Sequence, residues 1–282
     1  MSVAIETQNL TFHYLKGTRL QKTAVNNVSV KFNKYEIIAI IGHTGSGKSS
    51  FIQHLNGLLK PSSGKVFVNG EDIWKNRTNV RNVRFKVGVV FQQPEYQLFE
   101  DTIYKDIAFG PSNMGISDEE VKNRVEEAVK FVGLNRKILN ESPFDVSGGE
   151  KRKAVIAGVV AMDPDVLILD ELTAGLDPFS RDDIFSRVIN YHKIRKNTVI
   201  FTSHNMDEVA SFAEKVLVLN KGEVAMFDKT SEVFSRAEEL KSMSLSVPEV
   251  TVIFSRLKKM GHKNLPDCVL DIEGAVKTLC SR

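Results

Sequence analysis

The sequence predicts an α/β fold built on a mostly parallel sheet with an antiparallel edge. Three observations carry this. The short runs Ile37–Ile41 and Val166–Leu169 are apolar throughout, as strands buried on both faces require. Strand-like and helix-like segments alternate across 35–220, the pattern of parallel crossovers. The segment Gly42-His43-Thr44-Gly45-Ser46-Gly47-Lys48-Ser49 matches G-x-x-x-x-G-K-[ST] where a strand hands over to a helix.

In chain order, residues 3–12 and 23–32 read as paired strands, with Val28, Val30 and Phe32 alternating with polar residues. The polar link 13–22 holds Tyr14, an aromatic that either stacks on a purine base or rests on the sheet. Phe51, Ile52, Leu55 and Leu58 give the helix after the glycine-rich turn one apolar face, and 59–64 ends it. Lys65–Val68 with Asn69-Gly70 is a strand and turn. Val87–Phe91 is a strand, and Pro94 biases Gln93 towards an extended conformation. Ser117 with Glu120 is a capping box ahead of Val121, Val125, Ala128, Val129 and Val132. Ser147-Gly148-Gly149 opens another helix, which Pro164 stops, and Ser180 caps the helix carrying Ile184, Phe185, Val188 and Ile189. Thr198–Thr202 is a strand delivering Ser203-His204, and Val216–Leu219 with Val224–Phe227 forms a hairpin.

Composition excludes several classes. Apolar residues are 42% and charged residues 26% of the 282, an ordinary globular balance. Against 38 Lys+Arg stand 35 Asp+Glu, so the net charge of +3 does not favour nucleic acid as a main partner. The longest apolar run, Ala154–Met162, is far short of the ~20 residues that span a bilayer. MSVAIETQNL lacks the progression of a leader peptide, and Cys268 and Cys280 lack metal-ligand spacing and read as reduced thiols.

The chemistry starts at the glycine-rich loop. Without Cβ atoms at 42, 45 and 47 the backbone curls so that successive N–H groups converge on an anion, and the following helix adds its positive dipole end. Lys48 then reaches the β- and γ-phosphates of a nucleotide, and the Ser49 hydroxyl reaches Mg²⁺. A glycine-rich turn is the bland alternative; the strand–helix context favours a P-loop. Asp170 ends an apolar strand and suits the metal's shell, while Glu171 beside it suits a general base. A solvated strand end is the alternative there. Ser147-Gly148-Gly149 is either a capped turn or a second anion-binding helix start, and two such starts in one chain suggest two subunits sharing nucleotide face to face. His204 and Gln92, taken singly, are as well explained by structure as by chemistry.

Together, GHTGSGKS, VFQQP, VSGGEK, VLILDE, AGLD and TSH resemble the motif set of ABC-transporter ATPase subunits over about residues 3–230. The resemblance implies the ABC ATPase fold, with a RecA-like parallel-sheet core, an antiparallel β subdomain and a helical subdomain at about 95–162. It implies that Tyr14, Gly42, Thr44, Gly45, Ser46, Gly47, Lys48, Ser49, Ser50 and Gln92 bind ATP. It implies further contacts from Ser147, Gly148, Gly149 and Asp177, with Ser49, Gln92 and Asp170 at Mg²⁺ and Glu171, His204 and Lys48 catalytic. Val146, Glu150 and Leu172 depart from the leucine, glutamine and proline usual in the family. QQPEYQLFEDTIYKDIAFGPSNMG and VPEVTVIFSRLKKMG are similar to ATPases of energy-coupling-factor importers of vitamins and transition-metal ions. That likeness implies an ATPase domain over 1–230 and a dimerisation or regulatory extension over 231–282. It also implies a second ATPase subunit, identical or related, with a transmembrane coupling subunit contacting about 92–110, and a substrate-binding membrane subunit. The location implied is the cytoplasmic face of the cell membrane. One ATPase unit, with no coiled-coil insert, disfavours a ribosomal or DNA-repair role, and Glu171 with His204 disfavours a non-catalytic clamp.

Overall fold

The computed structural model describes residues 2–262, 264–266 and 268–280; Met1, Lys263, Asp267, Ser281 and Arg282, which the expected ranges 1–230 and 231–282 include, lie outside them. The chain opens with β1 (Val3–Tyr14) and β2 (Lys22–Asn33), followed by β3 (Ile37–Ile41) and α1 (Lys48–Leu55). Next come β4 (Ser63–Val68), β5 (Glu71–Asp72), α2 (Arg77–Lys86) and β6 (Val87–Val90). Three helices follow: α3 (Ile103–Ser112), α4 (Asp118–Val132) and α5 (Gly148–Val160). Then β7 (Val166–Asp170), α6 (Pro178–Arg195), β8 (Thr198–Thr202) and α7 (Met206–Phe212) lead to β9 (Lys215–Asn220) and β10 (Glu223–Lys229). The tail carries α8 (Thr230–Ser235), α9 (Ala237–Ser242), α10 (Glu249–Lys259) and α11 (Ile272–Cys280).

Two sheets result. One is antiparallel, ordered β2-β1-β4-β5; the other is β10-β9-β3-β8-β7-β6, parallel except for β10 at its edge. The parallel strands separate two cores by their period of two. Ile38, Ile40, Ile168 and Ile200 face the antiparallel sheet and α1, while Ala39, Ile41, Leu167, Leu169 and Phe201 face the helical layer. Fully burying each such isoleucine or leucine contributes roughly 1.5–3 kcal/mol, so register is held from both sides. α4 buries the expected stripe Val121, Val125, Ala128, Val129 and Val132, with Ser117 accepting from Glu120 N at its start. A small separate core of Phe254, Leu265, Val269 and Ala275 holds the tail, whose α10 donates Glu249 N to Asp207 Oδ1 at 2.9 Å.

Several local expectations are corrected. Tyr14 ends β1 rather than sitting in the link, because pairing continues to Tyr14–Lys22. Helix α1 stops at Leu55 and Leu58 is exposed, since Leu58 N and Leu59 N both turn back to Gln53 O. Gln93 is left-handed (φ 59°, ψ 61°), not extended. The proline ring disfavours the right-handed helical well, and closure of the loop by Gln97 Oε1 on Phe91 N selects the left-handed one. The cap of α6 is Asp177, with Ser180 three residues inside donating its N–H and hydroxyl to that carboxylate. Leu98 packs half-buried on the helical layer.

Candidate functional site

The C-terminal ends of β3, β7 and β8 lie side by side, and the loops leaving them, with those from β1, β2 and β6, surround a cavity of about 330 Å³. Its floor is the glycine-rich loop. Gly47 caps α1 at φ 103°, and a Cβ there would stand 2.2 Å from Ala24 O; one on Gly42 would stand 2.4 Å from Leu219 O. No other residue fits those two positions without moving backbone. Lys48 is buried at the first position of α1, where its Nζ donates to Gly42 O at 2.7 Å and His43 O at 3.3 Å. Burial pulls its ammonium below the ordinary lysine range, against the pull of the Glu171 and Asp170 carboxylates.

Facing the lysine, β7 delivers two carboxylates into different surroundings. Asp170 is buried and accepts Thr202 Oγ1 at 2.6 Å. Burial raises its pKa, opposed by the hydroxyls of Thr202 and Ser49 and by Lys48. Glu171 turns out of the strand at φ 49°, a left-handed conformation rarely adopted by a side chain of this size. Its N–H donates to Thr202 Oγ1 at 2.8 Å. Thr202 thus donates to Asp170 and accepts from Glu171, the next residue, which fixes the bend between them. Leu172 is buried in the core and anchors the chain just beyond.

Glu171 is gripped from two directions. Gln92 Nε2 donates to Oε2 at 2.8 Å, and His204 Nε2 lies 2.7 Å from Oε1. A carboxylate only accepts, so His204 carries its proton on Nε2 in this contact. Gln92 and Ser49 line the cavity and the Ser49 hydroxyl bonds to Asp170, so the oxygens offered here are of the kind Mg²⁺ takes when it relies on one carboxylate and substrate phosphates. Tyr14 closes the rim, its hydroxyl 3.0 Å from Ser50 Oγ and its ring edge-on to Phe12, which packs on the buried His54.

Of the residues expected here, Tyr14, Thr44, Gly45, Gly47, Lys48, Ser49, Ser50, Gln92, Glu171 and His204 line the cavity. Gly42, Ser46 and Asp170 lie beneath its surface. Ser147, Gly148, Gly149 and Asp177 are absent from the lining. Ser147 instead closes a capping box with Glu150, and Gly148 and Gly149 have no atom within 4 Å of where a Cβ would be. Thr202 and Lys22 escaped the sequence reading. A lysine opening a strand and a threonine ending one carry no local signal.

Residues 25–174 match the family model described as ABC transporter. The chain is 48% identical over 271 residues to the energy-coupling factor transporter ATP-binding protein EcfA2 of Caldanaerobacter subterraneus subsp. tengcongensis, covering 96% of this chain and 94% of the relative. It is 47% identical to EcfA2 of Clostridium perfringens, covering 98% and 97%. Among solved structures, cbiO1 of Clostridium perfringens, part of the ABC transporter complex cbiONQ, superposes with a TM-score of 0.75 at 32% identity, covering 92% of this chain and 99% of that one. A dimeric ATP-binding cassette in a post-hydrolysis state with ADP and phosphate superposes at 0.73 with 26% identity, covering 80% and 98%. A complete P-loop facing an Asp-Glu strand end agrees with this full-length likeness: the chain belongs to the ABC transporter family, as an ATP-hydrolysing subunit of energy-coupling factor transporters.

Proposed function

We propose that the cavity binds ATP with Mg²⁺ and that two ATPase subunits close on it to hydrolyse the γ-phosphate. The convergence of Gln92 and His204 on Glu171, opposite Lys48, carries this reading. Tyr14 stacks on the base, the N–H groups of Thr44 to Ser50 and the Lys48 ammonium hold the phosphates, and Ser49, Asp170 and Gln92 would hold the cation. Bound Mg²⁺ supplies charge neutralisation on the phosphate oxygens. Both Glu171 oxygens are engaged, Oε2 by Gln92 and Oε1 by His204. Glu171 would act as general base, accepting a proton from the attacking water at Oε2, with His204 steadying the carboxylate through Oε1 and Gln92 beside it oriented to contribute its amide to the cation and phosphates.

Ser147, Gly148 and Gly149 complete the partner's site, with Asp177 alongside. Support comes from the open space around Gly148 and Gly149, where nothing in this chain demands glycine. Helix start and small residues together suit close approach of another subunit's phosphate.

Among the described residues no helix is long and apolar enough to cross a membrane, so the membrane is reached through a partner. A groove of about 460 Å³ beside the Gln92 loop, lined by Phe85, Leu98, Phe99 and Phe109, suits helices of a transmembrane coupling subunit at the cytoplasmic face. Phe99 is 66% exposed in that groove, and Tyr96, in the adjoining loop, is 81% exposed. A separate membrane subunit then selects the vitamin or metal ion. In the tail, Ile272, Val276 and Leu279 are exposed at helical spacing on α11, which supports pairing of ATPase subunits through 231–282.

The test is Glu171→Gln in the assembled complex. ATP affinity should persist while turnover falls by about a hundredfold or more. Turnover near the unsubstituted rate would remove Glu171 from the catalytic role.

A further inference from the structure

Behind the cavity, α7 buries a carboxylate that none of the recognised motifs contains. Glu208 Oε1 accepts Thr173 Oγ1 at 2.7 Å and lies 3.7 Å from Arg181 Nε, and its Oε2 accepts the Ser203 hydroxyl. Two hydrogen-bond donors and one ion-pair partner thus come from three segments. Thr173 lies just past Glu171, Ser203 immediately precedes His204, and Arg181 sits on the first turns of α6 beyond its cap Asp177. Ser203 Oγ also accepts Asn205 N at 3.0 Å, so the turn that presents His204 is tied down at its base.

Packing alone does not call for this arrangement. Burying a carboxylate carries a desolvation cost that a leucine of similar volume avoids. What the carboxylate adds is acceptor capacity for several donors at once, so the three segments move as one. We infer that Glu208 is a positioning residue: it sets the separation of Glu171 from His204 and, through Arg181, links that separation to the Asp177 loop. Displacement of α6 at a subunit interface then shifts the catalytic pair directly. This rests on the roles given to Glu171 and His204 above.

The experiment measures ATPase kinetics, nucleotide affinity and melting temperature on the assembled complex. With Glu208→Gln, kcat should fall about tenfold to a hundredfold, as for a small displacement of reacting groups, with KM for ATP and nucleotide affinity unchanged. Glu208→Asp should recover part of the rate. In a His204→Ala background the same substitution should cost markedly less, because groups acting through one another are not additive. If Glu208→Gln does not fold, Ser203→Ala takes its place with the same readouts. Unchanged kcat, a change in KM alone, or full additivity with His204→Ala would overturn the inference. Glu171→Gln measured in parallel separates the two failures. If it turns over normally the catalytic assignment falls, whereas if it is inactive while Glu208→Gln is normal only the positioning role falls.

Discussion

Two helices of this protein begin at glycines, and the glycines answer to different surroundings. At the start of α1, Gly42 and Gly47 are required by the chain itself, because a Cβ at either would collide with backbone of β9 or β2. At the start of α5, Gly148 and Gly149 have right-handed, helical backbone and open space around them. Alanine would fit there, and fit a helix better. One glycine pair therefore serves the fold of its own subunit, while nothing among the described residues demands the other. The charges differ likewise. Beneath the first helix start Asp170 is buried and pushed up in pKa, while at the second Glu150 lies at the surface and is held down by the Ser147 hydroxyl and N–H.

The largest effect expected from this contrast is at Gly47. Gly47→Ala should abolish ATP binding and destabilise the nucleotide-free chain by about 1–3 kcal/mol, the cost of a strained backbone residue. Calorimetric binding and thermal melts check both. A variant that bound ATP normally would show that the loop relaxes, and the contrast would collapse.

Gly149→Ala should separate stability from activity. Its stability should stay level or rise by up to about 1 kcal/mol of helix propensity, read as an equal or higher melting temperature, and ATP should still bind the isolated chain. Hydrolysis by the assembled pair should fall by about a hundredfold, as when a preorganised donor site is blocked. If the isolated chain itself unfolded, the glycine would serve the fold after all.

The smallest effects are in pH dependence, and they have opposite signs. Asp170's raised pKa means the fold binds its proton more tightly than the unfolded chain does. Its contribution is present below the ordinary carboxylate range and lost as pH rises through the raised value. Glu150 is depressed, so its contribution is present above that range and lost as pH falls through its lowered value. Melting of the nucleotide-free chain from about pH 3 to pH 7 should therefore show Asp170→Asn gaining on the unsubstituted protein at the neutral end and Glu150→Gln losing. Shifts of the same sign would refute the difference in environment.

Much of this was legible in the chain because it is local. Ile37–Ile41 reads as a strand buried on both faces from five consecutive apolar side chains, and the P-loop reads from eight consecutive residues. The stripe on α4 follows from 3.6-residue periodicity and is buried as written. Errors fell where one nearby polar contact overrode another local preference. Gln93 is left-handed because Gln97 closes its loop, and Ser180 lost the cap of α6 to Asp177.

By itself, then, the sequence determined the strand runs, the helix faces, the glycines of the phosphate loop and the family motifs in their order. Only the tertiary structure decided that Gln92 and His204 both meet Glu171, that Thr202 bridges Asp170 and Glu171, and that Glu208 gathers Thr173, Ser203 and Arg181. The physical reason is range. Periodicity, capping and turn chemistry act over a few residues, within a turn or two of the chain. The Gln92–Glu171 bond spans 79 positions and the Thr202–Asp170 bond 32, and both exist because β6, β7 and β8 lie adjacent in the parallel sheet.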